Sequence, residues 1–230
     1  MANLPRRRHL EVLSELVSPE GKSALDIGCG DGALLRALMR RGLAEGVGLE
    51  PADQQLQRAT AGEPLPNLRF LPGRGEALDF PDESFDLVIY FNSLHHLNES
   101  VIDRALTEAG RVLREGGFLY VAEPVAEGSH FSLLQPVEDE TEVRRVAFER
   151  LCAAAEGPFE QLREVRYDAP VRYADFEAFR QQAVAVDPRR AVVFDGLVEG
   201  LRQKFEELSE TDEKGYLFSQ PMRVNLLRPV

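Results

Sequence analysis

Leu25-Asp26-Ile27-Gly28-Cys29-Gly30-Asp31-Gly32-Ala33-Leu34 joins a short apolar run, Ala24–Ile27, to a segment, Gly32–Arg41, whose Leu34, Leu35 and Leu38 share one helical face. Its alternate glycines let the main chain turn sharply, with no Cβ standing between backbone and a ligand. A second apolar strand, Gly46–Leu49, ends at Glu50, 20 residues beyond Gly30. Strand, glycine turn, helix, strand and acid in that order form an adenosine-binding arrangement. The turn admits the ligand, and a carboxylate at the second strand tip accepts both hydroxyls of a ribose.

The surrounding sequence repeats the alternation. An opening helix is predicted over Arg8–Val17, a helix over Gln54–Ala61, and strands at Leu68–Leu71, Phe85–Phe91 and Phe118–Val121. Phe85–Phe91 is too uniformly apolar for a half-exposed strand and suits a sheet covered on both faces. Val101–Leu113 carries Val101, Ala105, Leu106, Ala109, Val112 and Leu113 on one helical stripe, with Gly116-Gly117 predicted to end it. Beyond Pro124 the pattern predicts helices at Val137–Ala155, Asp175–Val184 (Asp175 as N-cap) and Val192–Leu208, a strand at Phe159–Tyr167, and a last extended segment, Tyr216–Leu227. The fold class expected is α/β: a doubly wound, Rossmann-like, mostly parallel sheet with helices on both faces and a C-terminal antiparallel edge strand. One domain is expected over 1–230, with a cofactor-binding core at 10–124, an acceptor-site insertion and cap at 125–192, and a final helix and edge strand at 193–230.

Composition narrows the partners. The chain has 230 residues, with 39 acidic against 27 basic side chains and a net charge of −12. Such a surface repels phosphate backbones and anionic lipid, so neither nucleic acid nor membrane is expected as a partner. No apolar run approaches the roughly 20 residues of a bilayer span. Arg6–Arg8 is followed by no apolar stretch of the kind a secretory signal needs, and two cysteines, Cys29 and Cys152, build no disulfide framework. A cytoplasmic location is expected.

Charge also separates the candidate cofactors. Gly28, Gly30 and Ala33 satisfy the dinucleotide pattern G-x-G-x-x-G/A, which keeps an NAD(P)-dependent oxidoreductase open as an alternative. Asp26, however, sets a carboxylate before the first glycine, where it opposes a pyrophosphate and favours an ammonium or a sulfonium.

Asp26–Leu34 resembles the first motif of class I S-adenosylmethionine-dependent methyltransferases, and Leu49-Glu50-Pro51 resembles their second-strand acid. Glu76–Asp86 is similar to the stretch before their fourth strand, and Leu113–Leu119 to the approach to their fifth. The likeness is strongest to the small-molecule, UbiE-like or type 11 subgroup and covers about Leu10–Pro124. It implies S-adenosylmethionine as cofactor. Asp26 and the Gly28, Cys29 and Gly30 backbone would hold the methionine end, Glu50 and Pro51 would lie at the ribose, and the turn of Arg74, Gly75 and Glu76 at the adenine. Arg74 departs from the subgroup, which usually has an acid there, and a guanidinium accepts no hydrogen bond from the adenine amino group. A member that binds the cofactor without methylating is the remaining alternative.

Methyl transfer asks mainly for alignment of a nucleophile with the S–CH₃ bond, and for a base when the acceptor arrives protonated. Tyr90-Phe91-Asn92-Ser93-Leu94-His95-His96-Leu97 follows the fourth strand, so Asn92, also a candidate cofactor contact, and His95 are the catalytic candidates. Adjacent histidines there point in different directions, which argues against one shared task. His9 and His130 stand apart, neither cysteine has a neighbour at ligand spacing, and no metal is expected. A small-molecule acceptor is expected to be selected by the opening helix and by Val125–Val192, including Phe131, Leu133, Leu134, Tyr167, Tyr173, Phe176 and Phe179, the last two spaced more like core.

Overall fold

A computed structural model describes residues 4–186 and 189–230; positions 187 and 188 of the expected 125–192 insertion, and 1–3 of the expected domain, lie outside the described residues. In chain order the elements are α1 His9–Leu16, β1 Ser23–Ile27, α2 Ala33–Met39, β2 Glu45–Glu50, α3 Asp53–Ala61, β3 Leu68–Pro72, β4 Phe85–Phe91, α4 Glu99–Val112, β5 Leu113–Pro124, α5 Gly128–Leu134, α6 Thr141–Ala155, β6 Phe159–Asp168, β7 Val171–Tyr173, α7 Phe176–Val186, α8 Arg190–Gly196, α9 Val198–Leu208, β8 Glu210–Asp212, β9 Gly215–Phe218 and β10 Pro221–Pro229. No helix among the described residues is long and apolar enough to cross a membrane.

Seven strands form one sheet in the order β3-β2-β1-β4-β5-β10-β6, parallel through its first five strands, with antiparallel strands at the far edge where β6 is outermost. β1 is buried along its whole length and lies between β2 and β4, with Asp26 in register with Gly48 on one side and Ile89 on the other. The chain winds outward in both directions from β1. The crevice at the carboxyl ends of β1 and β4 is therefore where such a sheet takes ligands.

Two compact units divide the chain. One contains Arg8–Glu123, Arg145–Val165 and Arg223–Val230; the other contains, of the described residues, 4–7, Pro124–Arg144, 166–186 and 189–222. The first unit's core sets Leu25, Val47, Val88 and Leu119 of the sheet against Ile102, Ala105, Leu106, Ala109 and Val112 of α4. Ile102, rather than the expected Val101, faces inward. The second unit is built on aromatic rings: Tyr173, Phe176, Phe179, Phe194, Phe205 and Phe218 form one buried cluster with Leu133. Candidates for acceptor selection such as Tyr173, Phe176 and Phe179 are thus core side chains of that unit.

Three expectations are corrected. Gly116-Gly117 does not end the helix before it. α4 stops at Val112 and β5 begins at once, with Gly116 at φ +75° in a bulge that steps the β4–β5 register from Phe85↔Leu113 to Leu87↔Phe118. Left-handed glycines serve helix ends and strand bulges alike, so sequence does not separate the two. Val192–Leu208 is two helices broken at Leu197, which is exposed; the break lets Phe194 and Phe205 both reach Phe176, at 5.8 and 5.6 Å between ring centroids. Tyr216–Leu227 divides between β9, in a three-stranded sheet with β7 and β8, and β10. Asp175 does cap its helix: its Oδ1 accepts the Ala178 N–H at 2.8 Å.

Candidate functional site

Five backbone donors of the loop after β1 are committed within the protein. Gly28 and Cys29 N–H both reach the Leu49 carbonyl, at 2.8 and 3.0 Å, tying the loop to the end of β2. Gly30 N–H donates to Glu50 Oε2 at 2.9 Å, Gly32 N–H to the Cys29 carbonyl at 3.0 Å, and Ala33 N–H to Asp31 Oδ1 at 3.0 Å. Gly28 sits at φ +76°, and a Cβ added there would lie 2.6 Å from Ser93 Cβ, so glycine is required twice over. Gly30 is also left-handed, at φ +56°, but a Cβ there would meet nothing within 4 Å. That face of the loop is open.

Two carboxylates border the loop. Asp26 is only 1% exposed on the central strand, and its Oδ1 has no hydrogen-bond partner. Burial pushes its carboxyl up from 3.8 to about 7, and the negative field of Glu50 adds to the rise. Glu50 is tied down at the tip of β2, with Oε2 on Gly30 N–H and Oε1 on Ala52 N–H, each at 2.9 Å. Each oxygen has a second lone pair with which to accept from a ligand. A buried, unpartnered acid beside a second acid is a costly arrangement that a cation relieves.

Cys29 does not carry reactivity. Burial, with Asp26 and Glu50 nearby, pushes its thiol well above the ordinary value, and its Sγ packs where a Cβ on Gly48 would stand, 2.6 Å away. Pro51 is exposed just beyond Glu50.

The turn of Arg74, Gly75 and Glu76 follows β3. Arg74 is exposed and its carbonyl accepts the Ala77 N–H at 3.3 Å, while a Cβ on buried Gly75 would lie 2.7 Å from the Tyr90 hydroxyl and 3.1 Å from Ile27 Cγ2. Glu76 is half-buried, and its charge is a secondary contribution, after burial, to the raised phenol of Tyr90. The segment beyond the turn is pinned by α4. Arg111 donates to the Leu78 and Phe80 carbonyls at 3.0 and 2.8 Å and to Glu108, whose Oε2 accepts the Leu78 N–H at 3.0 Å. The Arg111 guanidinium holds the Glu108 carboxyl down at about 2.

The end of β4 completes the arrangement. Asn92 is exposed at φ +54°, a conformation asparagine tolerates, with its N–H on the Ala122 carbonyl at 2.9 Å. Ser93 Oγ donates to the Ile27 carbonyl at 2.6 Å, joining this turn to the glycine loop. The 3₁₀ turn Leu94–His96 then buries His95 and leaves His96 exposed. His95 Nδ1 is hydrogen-bonded to Glu123 Oε2, and Glu123 Oε1 accepts the Ser93 and Leu94 N–H groups at 3.1 and 2.8 Å. Local spacing carries no sign of this partnership, 28 residues apart. His9 is less isolated than expected: its ring meets Phe91 edge-on at 4.8 Å.

Asp26, Gly28, Cys29, Gly30 and Glu50 are therefore one cluster at the tips of β1 and β2, and Asn92 and His95 follow from the tip of β4, linked through Ser93. The Gly75 turn packs against both Ile27 and Tyr90. Arg74 contributes no described contact to the two acids.

Comparison with known proteins bears on the family and the fold. Residues 25–121 match a family described as a methyltransferase domain. The chain is 36% identical over 126 residues to the phthiotriol/phenolphthiotriol dimycocerosates methyltransferase of Mycobacterium leprae, a match covering 52% of this chain and 45% of that protein. It is 28% identical over 216 residues to the fatty-acid O-methyltransferase of Mycolicibacterium smegmatis, covering 88% of this chain and 69% of that one. The matched stretch spans less than half of the first of these relatives. In three dimensions the YcgJ protein of Bacillus subtilis superimposes with a TM-score of 0.61 at 18% identity, over 96% of this chain and 98% of that one, a likeness of fold. Residues 25–121 of the chain thus carry a match to a methyltransferase-domain family, with methyltransferases among its sequence relatives.

Proposed function

We propose that the chain transfers a methyl group from S-adenosylmethionine to a small-molecule acceptor. The observation that carries the cofactor assignment is the state of the glycine loop. Its N–H groups at Gly28, Cys29, Gly30, Gly32 and Ala33 are all taken by acceptors within the protein. A pyrophosphate bound at such a turn depends on free N–H donors and a positive helix terminus. What the loop offers is carboxylate, with Asp26 unpartnered and Glu50 beside it, which suits a cationic nucleoside and disfavours a dinucleotide.

In this reading Asp26 faces the ammonium of the methionine end, across the open face at Gly28, Cys29 and Gly30. Glu50, braced by two backbone donors, receives the ribose hydroxyls, with Pro51 alongside. The Arg74, Gly75 and Glu76 turn borders the adenine, with Gly75 rather than the Arg74 guanidinium offering main-chain contact. When bound, the cofactor would supply a methyl group activated by its sulfonium sulfur, with the thioether as leaving group. Asn92 and His95 act on the acceptor side, Asn92 by orientation and His95 by taking a proton from an acceptor that arrives with one. Alignment contributes most, about 7–11 kcal/mol of barrier lowering in well-oriented reactions. The net charge of −12 and the lipid substrates in the names of the two curated relatives support a small, apolar acceptor over a nucleic acid.

Calorimetry tests the cofactor assignment. S-adenosylhomocysteine is expected to bind and NADPH not to, and Glu50→Ala is expected to weaken the former by about 1–3 kcal/mol. Binding of NADPH alone overturns the assignment. Incubation with methyl-labelled cofactor is expected to label a metabolite fraction; label appearing only in total tRNA would move the acceptor to nucleic acid.

A further inference from the structure

Between Pro72 and Phe85 the chain forms no helix and no strand, yet this stretch carries the Arg74, Gly75 and Glu76 turn. A connection of that length keeps one course only when other elements hold it. Here α4 holds it, through Ala105, Glu108 and Arg111. A Cβ added to buried Gly75 would lie 3.6 Å from Ala105 Cβ and 2.7 Å from the Tyr90 hydroxyl, which donates to the Ala105 carbonyl at 3.4 Å. The Ala77 N–H closes the turn on the Arg74 carbonyl at 3.3 Å. One residue on, both main-chain groups of Leu78 are taken by side chains of α4. Its N–H donates to Glu108 Oε2 at 3.0 Å, and its carbonyl accepts from Arg111 Nη2, also at 3.0 Å. Arg111 directs its other donors to Glu108 Oε1 and Oε2, each at 2.8 Å, to the Phe80 carbonyl at 2.8 Å and to Asp82 Oδ1 at 2.7 Å.

Glu108 and Arg111 stand one helical turn apart and meet fork to fork, which fixes the guanidinium in one plane. Hydrogen bonds from Arg111 hold the Glu108 carboxyl down at about 2, so the pair is charged throughout the neutral range. Leu78, with its side chain in the core and its N–H and carbonyl both tied to this pair, is a fixed point. The turn before it spans from the tip of β3, where Pro72 is in register with Glu50, to that anchor. We infer that Glu108 and Arg111 are positioning residues: they set the distance of the Arg74, Gly75 and Glu76 turn from a bound purine, and so determine which base the site accepts. The inference rests on the cofactor reading above, in which this turn borders the adenine. Main-chain groups cannot change rotamer to follow a ligand, so what they recognise is decided by where the turn stands. Adenine presents a donor amino group at its 6-position and hypoxanthine an accepting oxygen. An acceptor held within reach of the first is left unpaired by the second. Glu108 and Arg111 act on this choice through Leu78.

Calorimetry with two ligands that differ only in the base, S-adenosylhomocysteine and S-inosylhomocysteine, tests this on wild type, Glu108→Ala and Arg111→Lys. Lysine keeps the charge but not the fork. Wild type is expected to prefer the adenine ligand by about tenfold, the worth of one hydrogen bond, and each variant to retain less than about threefold. A role confined to stability would lower the unfolding midpoint and leave this ratio alone, so folded variants with the wild-type ratio overturn the inference. So does a wild type that binds both ligands equally. Hydrogen exchange at the Leu78 amide covers the case in which neither variant folds. Because coupling is reciprocal, the adenine ligand is expected to slow that exchange more than the inosine ligand does at equal saturation; equal slowing overturns the inference. The two proposals fail differently. A wild type that does not bind S-adenosylhomocysteine removes the cofactor assignment and the base-selecting role together, whereas binding with an unmoved ratio removes only the role of Glu108 and Arg111.

Discussion

A carboxylate in the middle of a parallel sheet is expensive to ionise, and Asp26 shows how the protein manages the cost. Its carboxyl is raised from 3.8 to about 7, first by burial and then by Glu50. The native state holds this proton up to about pH 7, whereas the unfolded chain releases it near 3.8. The native state thus binds more protons across that interval. Stability contributed by Asp26 is full below pH 3.8 and declines as pH rises toward 7. Asp26→Asn removes the decline, so in urea titrations its advantage over wild type is expected to grow from pH 4 to pH 7, reaching a few kcal/mol. Ligand affinity moves the other way. Pairing with an ammonium requires the ionised acid, so S-adenosylhomocysteine should bind wild type about tenfold more weakly for each pH unit below 7. In Asp26→Asn the affinity should fall by about 1.5–3 kcal/mol at pH 7.5 and lose this dependence. Parallel pH profiles for the two proteins would take Asp26 out of the site.

At the scale of elements, the glycine loop is held between two strands. β2 supplies the Leu49 carbonyl to two of its N–H groups, and the turn after β4 supplies Ser93 on its other side. Gly28→Ala is therefore expected to destabilise the protein by about 1–3 kcal/mol from the left-handed backbone alone, with the 2.6 Å approach to Ser93 Cβ added. Adding Ser93→Gly should recover the steric part and leave the conformational part, which chemical denaturation resolves; a Gly28→Ala protein as stable as wild type would contradict the packing. The loop was legible in sequence because its glycines, its acid and the flanking apolar runs are contiguous. The Asp175 cap was legible for the same reason. Gly116 was not, because a left-handed glycine after a helical stripe is compatible with a helix end, and only the pairing of Leu113 with Phe85 makes it a bulge.

For the molecule as a whole, two compact units use different materials. One is a sheet and helix core of aliphatic side chains; the other is a nest of aromatic rings. Phe205 meets Tyr173, Phe176, Phe179, Tyr216 and Phe218, with centroids 4.8 to 6.3 Å away. Phe205→Ala is expected to cost about 3–5 kcal/mol, read by near-ultraviolet circular dichroism and thermal unfolding. A loss below 1 kcal/mol would mean the cluster is loosely packed. His130 belongs to the same unit, bridging Gln220 and Tyr173 at 2.6 and 2.8 Å, and burial lowers it to about 4, so it is neutral at physiological pH.

Sequence by itself determined the order of strands and helices through residues 25–121 and the chemical character of the loop. Both depend on near neighbours: periodicity of apolar residues, glycine conformations and an acid at a fixed distance. Tertiary structure alone decided which remote groups meet. Glu123 reaches His95, Arg111 fastens the segment before β4, Leu197 breaks a helix so that two phenylalanines face one core, and the Gly28, Cys29 and Gly30 N–H donors are taken by Leu49 and Glu50. Such pairings arise from strand order and crossover geometry, and local spacing does not encode them.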